Sequence, residues 1–161
     1  MEFDRANAVQ RALRRFAASG PGSWLFVRVL HRIDKPVFRL SKGRFTFSSL
    51  VSGLPVVMLT TTGARTSKSR TVPVLGLPSP EGMAVIASNY GQRGHPAWCH
   101  NLLANPEGQV AVDGQRRHVR AVEVDGERRR RIWDHALTVY PGYAQYEKRA
   151  AHRRIHVFVL E

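Results

Sequence analysis

Cysteine is almost missing from this chain of 161 residues: Cys99 is the only one. That excludes a disulfide framework and a cysteine-based zinc knuckle. No run of about 18 apolar residues occurs, so no bilayer-spanning helix is expected. Met1–Arg15 is polar and punctuated by charge, with no apolar stretch behind it, which predicts an intracellular, cytoplasmic protein without a secretory leader. The sequence has no H-E-x-x-H zinc motif, no G-x-S-x-G nucleophile elbow and no Walker A loop. Acidic residues are scarce: 12 Asp and Glu stand against 25 Lys and Arg, for a formal net charge of +13.

What is present is one ordinary domain of 18.1 kDa, 43% hydrophobic and large enough to bury a real core. The basic excess leans towards the N-terminus: residues 1–50 carry 10 basic and 3 acidic side chains. Such a balance favours polyanions, whether nucleic acid, an anionic membrane surface or a phosphorylated or polycarboxylate ligand. Base-stacking surfaces interleave aromatics with their cations. That pattern is missing here, so nucleic acid is not expected.

Hydrophobic periodicity predicts a helix over Ala6–Ala18, with Val9, Leu13, Phe16 and Ala17 on one face and arginines on the other. A second helix starts near Ser23 and is broken or kinked by Pro36. Together they form a basic amphipathic arm, residues 1–45, that either contacts an anionic membrane or packs on the domain with a solvated basic face. Residues 46–161 form the main domain. Strands are predicted at Val56–Thr62, Thr71–Leu77, Met83–Ser88, Gln109–Val112, Gln115–Val124 and Ile155–Leu160. Asp113-Gly114 supplies a two-residue hairpin turn. Helices are expected from Pro96 to about Ala104, after Asp125, and over Tyr143–Ala150. Strands mostly follow strands across short turns, which points to an α+β fold: a small antiparallel barrel of about six strands with packed helices.

The loop from Thr60 to Arg70 is the best anion site, offering Arg65, Lys68 and Arg70, several hydroxyls, and Gly63 to let backbone N–H groups turn inward. The alternative is a solvated turn. Metal binding is not expected: His95 and His100 lack a nearby carboxylate, and His118, His152 and His156 sit in strand-like or basic surroundings. Cys99 and His100 are adjacent and point apart on a helix, so Cys99 reads as a small buried hydrophobe. Tyr140, Tyr143 and Tyr146 recur every three residues, placing three phenols roughly on one face. They form either aromatic core or the wall of a cavity, and the need of three hydroxyls for partners tilts towards the wall.

The pieces Leu59-Thr-Thr-Thr-Gly63, Arg70-Thr-Val-Pro73, Ala87-Ser-Asn89, His95-Pro-Ala-Trp98 with Asn101-Leu102, Ala104-Asn-Pro106 and Tyr140-Pro-Gly-Tyr143 together resemble the deazaflavin-dependent nitroreductase family. The resemblance covers about residues 50–161. It implies a split β-barrel related to flavin-binding barrels, possession of coenzyme F-420 (an 8-hydroxy-5-deazaflavin with a phosphate and a polyglutamate tail), and hydride transfer to a quinone or a nitroaromatic or nitroimidazole acceptor. Carried across, it assigns the phosphate and tail to Arg65, Lys68 and Arg70. The ring pocket falls to Pro73, Ala87, Ser88, Asn89, Trp98 and Asn101, and the catalytic substrate wall to Ser88, Tyr140, Tyr143 and Tyr146. Leu75, Cys99 and Ala64 depart from the family pattern, so the resemblance implies the coenzyme more directly than a nitro acceptor. Related barrels often dimerise. The competing readings are an FMN-binding relative on the same barrel and a basic, non-enzymatic binding protein for nucleic acid or membrane.

Overall fold

The computed structural model describes residues 54–161 except Glu81 and Asp113, together with the isolated positions Ala12, Phe16, Ser19, Ile33, Pro36, Val37 and Leu40. The basic arm, its two helices and the boundary near residue 45 therefore lie almost wholly outside the described residues.

The order of elements is β1 (Val56–Thr62), β2 (Ser69–Leu75), β3 (Leu77–Ser79), β4 (Gly82–Ile86), a single 3-10 turn (Asn89–Gly91) and α1 (Ala97–Ala104). Then come β5 (Glu107–Val112), β6 (Gln115–Glu123), α2 (Gly126–Val139), α3 (Gly142–Arg149) and β7 (Val157–Leu160). All pairings are antiparallel, in the order β2-β1-β5-β6-β7-β4-β3. The curled sheet is a split barrel. It has seven strands where the sequence predicts six, because the stretch 71–77 divides at Gly76. That residue's N–H donates to the Pro55 carbonyl at 2.8 Å. A Cβ there would lie 2.7 Å from Met83 Sδ and 3.1 Å from both Val57 methyls, so a larger residue would have to displace these neighbours. The hairpin at Gly114 keeps the expected two-residue form, with Val112 opposite Gln115 and Gly114 at φ +78°.

Two cores share the sheet. Alternation along β4 sends Val85 into an inner core and Ala84 and Ile86 into an outer one; β7 sends Phe158 and Leu160 inward, Val157 and Val159 outward. The inner core adds Val57, Leu59, Val110, Val119 and, from α1, Trp98, Cys99 and Leu102. The outer core is roofed by α2 and α3 through Ile132, Trp133, Ala136, Tyr143 and Tyr146. Asp125 precedes α2 as expected, yet its side chain makes no capping bond; the carboxylate pairs with Arg154 instead.

Candidate active site

α1 is the bracket on which the site is built. On one side its Asn101 holds the β1–β2 loop: the amide Nδ2–H donates to Thr61 Oγ1 at 2.9 Å, and Oδ1 accepts the Ala64 backbone N–H at 3.0 Å. The loop closes on itself through Gly63 N–H to Lys68 O (2.9 Å) and Ser67 N–H to Gly63 O (2.8 Å). This arrangement leaves Arg65, Lys68 and Arg70 exposed. None of the three has a carboxylate partner among the described residues. By strand alternation Arg70 shares a face of β2 with Val72 and Val74, which pack on the inner core, whereas Pro73 lies on the opposite face of this edge strand.

At its other end α1 meets the segment that follows β4. Here Asn89 and Tyr90 both adopt left-handed backbone, φ 47° and 56°, and Gly91 follows at φ 75°, packed so closely on α3 that a Cβ would lie 3.0 Å from the Tyr146 backbone. Ser88 is 8% exposed, and no hydrogen bond of its hydroxyl is found in the described residues. Asn89 Nδ2–H donates to Gly94 O at 2.8 Å, which fixes the side chain.

Behind this turn lies the aromatic group. Tyr140, Tyr143 and Tyr146 are all buried, at 6%, 4% and 3% exposure. The Tyr140 and Tyr146 hydroxyls bond each other at 2.8 Å, and Tyr90 meets Tyr146 edge to face at 5.8 Å. The three rings thus pack in the outer core behind the Ser88–Gly91 turn, the first of the two arrangements their spacing allowed. Two of the phenols, those of Tyr140 and Tyr146, are partners for each other within that packing. Burial, with the neighbouring Tyr140 phenol, raises the pKa values of Tyr143 and Tyr146, so both stay protonated.

Ala87 and Trp98 are likewise inner core, at 0% and 8% exposure. Asn101 has both ends of its amide engaged with the protein, so its observed part is to set the basic loop rather than to offer a free amide. The structure therefore anchors the basic loop on α1 and the Ser88–Gly91 turn on α3, and sets Ala87, Trp98 and the tyrosines in the packing beneath.

Sequence reasoning missed Arg153, which reaches the Ser88 segment from beyond α3, and a group formed by His95, Cys99 and His156. In that group one ligand atom from each lies within 4.8 Å of the others. Glu123 Oε1 accepts from His156 Nδ1 at 2.7 Å. Burial, then Glu123, pushes the Cys99 thiol up to about 12. Arg153 Nη1–H faces His95 Nδ1 at 3.2 Å. Because a guanidinium only donates, Nδ1 is the acceptor and Nε2 carries the proton, leaving no lone pair on that ring for a cation. Desolvation first, then Arg153 and the two neighbouring histidines, lowers the pKa of His95.

The donor set suits an anionic coenzyme: cations without acid partners among the described residues, on a loop held from behind by α1. Fold and site together define a split-barrel oxidoreductase. The family model for F420H(2)-dependent quinone reductases matches residues 30–161, and the chain belongs to that family, with coenzyme F-420 as its cofactor. An F420H(2)-dependent quinone reductase of Mycobacterium tuberculosis is 33% identical over 95 residues, 59% of this chain and 63% of that protein. A solved F420-H2 dependent reductase, FDR-A, superposes with TM-score 0.60 at 37% identity, covering 66% of this chain and 94% of that one. A structure described as a domain-swapped dimer gives TM-score 0.63 at 33% identity, covering 88% and 100%.

Proposed function

We propose that this protein transfers a hydride from reduced coenzyme F-420 to a quinone, with nitroaromatic and nitroimidazole compounds as a further acceptor class. The observation that carries the reading is the cluster of Arg65, Lys68 and Arg70, without carboxylate partners among the described residues, on a loop that Asn101 fixes to α1. When bound, the deazaflavin supplies the hydride. The protein's own part is positional. Arg65, Lys68 and Arg70 hold the phosphate and the carboxylate tail. Pro73, Ala87, Trp98 and Asn101 shape and support the ring's seat, and Ser88 and Asn89 meet the ring or the acceptor. Ser88 Oγ donates a hydrogen bond to the acceptor oxygen where negative charge develops. Tyr140, Tyr143 and Tyr146 act by holding the turn that carries Ser88.

The test is quenching of F-420 fluorescence by the protein, with FMN and NADPH run in parallel, followed by turnover with a naphthoquinone and a nitroimidazole. Binding of the deazaflavin alone with quinone turnover supports the reading; preference for FMN moves the protein to a flavin-binding relative. We further propose a cytoplasmic homodimer whose basic N-terminal arm touches the inner face of the membrane. The charge of residues 1–50 and the domain-swapped relative support this. Flotation with phosphatidylglycerol vesicles but not with zwitterionic ones is the expected result, and failure to float with either removes the membrane contact.

A further inference from the structure

The Ser88 turn is held in an unusual shape. Two consecutive non-glycine residues, Asn89 and Tyr90, sit in the left-handed region, which side chains adopt only when their surroundings impose it. Its own bonds are short-range: Ser88 N–H to Ile86 O, Gly91 N–H to Ser88 O and Gln92 N–H to Asn89 O. One side chain from a distant part of the chain gathers the carbonyls of this segment. Arg153 donates from Nη2 to Ser88 O at 2.7 Å, from Nε to Gln92 O at 3.0 Å and from Nη1 to Ala87 O at 3.4 Å, and faces His95 Nδ1 at 3.2 Å. Among the described residues it has no carboxylate partner, and burial lowers its pKa. A cation taken from water without a counter-charge is costly unless its donors are satisfied. Here backbone carbonyls on both sides of the strained pair, together with a neutral imidazole, satisfy them.

We propose that Arg153 is a positioning residue of the active site: by clamping the carbonyls of Ala87, Ser88 and Gln92 it fixes the strained turn and so aims the Ser88 hydroxyl. Arg153 touches neither coenzyme nor acceptor in this role, which rests on the assignment of the Ser88 turn to the coenzyme site. Arginine is required because its planar fork reaches several acceptors at once; the single ammonium of lysine keeps the charge and loses the geometry.

The test uses the full chain and the variants Arg153→Lys and Arg153→Ala, each alone and combined with Ser88→Ala. In coenzyme-free protein, amide exchange at Gly91 and Gln92 accelerates by roughly tenfold or more in both arginine variants, while Gly63 and Ser67 in the basic loop stay unchanged. With F-420 and a naphthoquinone, Ser88→Ala lowers kcat/KM in the parent, and has little further effect once Arg153 is replaced. Unchanged exchange at Gly91 and Gln92 overturns the clamp. A Ser88→Ala loss that is just as large in the Arg153 variants overturns the link to Ser88. If Arg153→Ala does not fold, Arg153→Lys carries the same comparisons. Should the parent fail to bind F-420, the functional reading falls and the link to coenzyme chemistry with it, while the exchange result still decides whether Arg153 holds the turn.

Discussion

At the scale of single residues, Asn101 shows how one amide can decide the shape of a binding loop. Replacing it by leucine leaves the Ala64 N–H and the Thr61 hydroxyl without their partner. A loss of about 1–3 kcal/mol in unfolding free energy is expected, measured by urea titration, with weaker F-420 binding alongside. Arg70→Ala is expected to weaken coenzyme binding by about 1.5 kcal/mol, the low end for a charged hydrogen bond because the loop is open to solvent; titration of fluorescence quenching reads it. His95 gives a pH effect of definite sign. Its folded pKa lies below the ordinary imidazole value, so the unfolded chain binds the extra proton first. Stability is full above that ordinary value of ~6.5 and falls as pH drops through it towards the lowered folded value. Urea midpoints from pH 8 to pH 5 should fall less steeply in His95→Gln. The family resemblance assigns Asn101 to the ring pocket; only the fold shows both ends of its amide in use within the protein. Arg153 is less legible still. Its partners are backbone carbonyls more than 60 positions away, and a carbonyl has no sequence signature.

At the scale of elements, the strands were readable because their side chains alternate between two cores, and the hairpin because Asp113-Gly114 suits only a tight turn. The break at Gly76 was not readable, since it depends on Met83 and Val57 arriving from other strands. The tyrosine spacing suggested one helical face, yet Tyr140 is extended at the end of α2 and only Tyr143 and Tyr146 lie on α3, so the fold and not the helical period gathers the three rings. The Ser88–Gly91 turn and α3 fit each other closely. A methyl at Gly91 would meet Arg149 Cβ at 2.9 Å and the Tyr146 backbone at 3.0 Å, with φ at +75° besides. Gly91→Ala should therefore destabilise by more than about 1 kcal/mol, seen as a lowered Tm, and should lower quinone turnover by displacing Ser88.

For the molecule as a whole, the charge of +13 makes ionic strength a useful probe. Binding of the anionic coenzyme should weaken only modestly as salt rises, since few anionic groups are engaged, whereas a nucleic-acid-binding protein would lose affinity steeply. Filter binding to a DNA duplex alongside the F-420 titration checks this. Asn101 of α1 holds the basic loop, while the Ser88–Gly91 turn is packed on α3 and gripped by Arg153, so the two proposed halves of the site are anchored by different parts of the chain. The two cores, by contrast, are joined through β4 and β7, whose alternate side chains face opposite ways. Like a party wall between two houses, these strands cannot be pulled down on one side only: melting the roof of helices bares the back of the barrel, and opening the barrel strips the roof of its floor. Heat should therefore take the described domain apart in one step, and the catalytic lifetime of the enzyme at any temperature should be the lifetime of its fold.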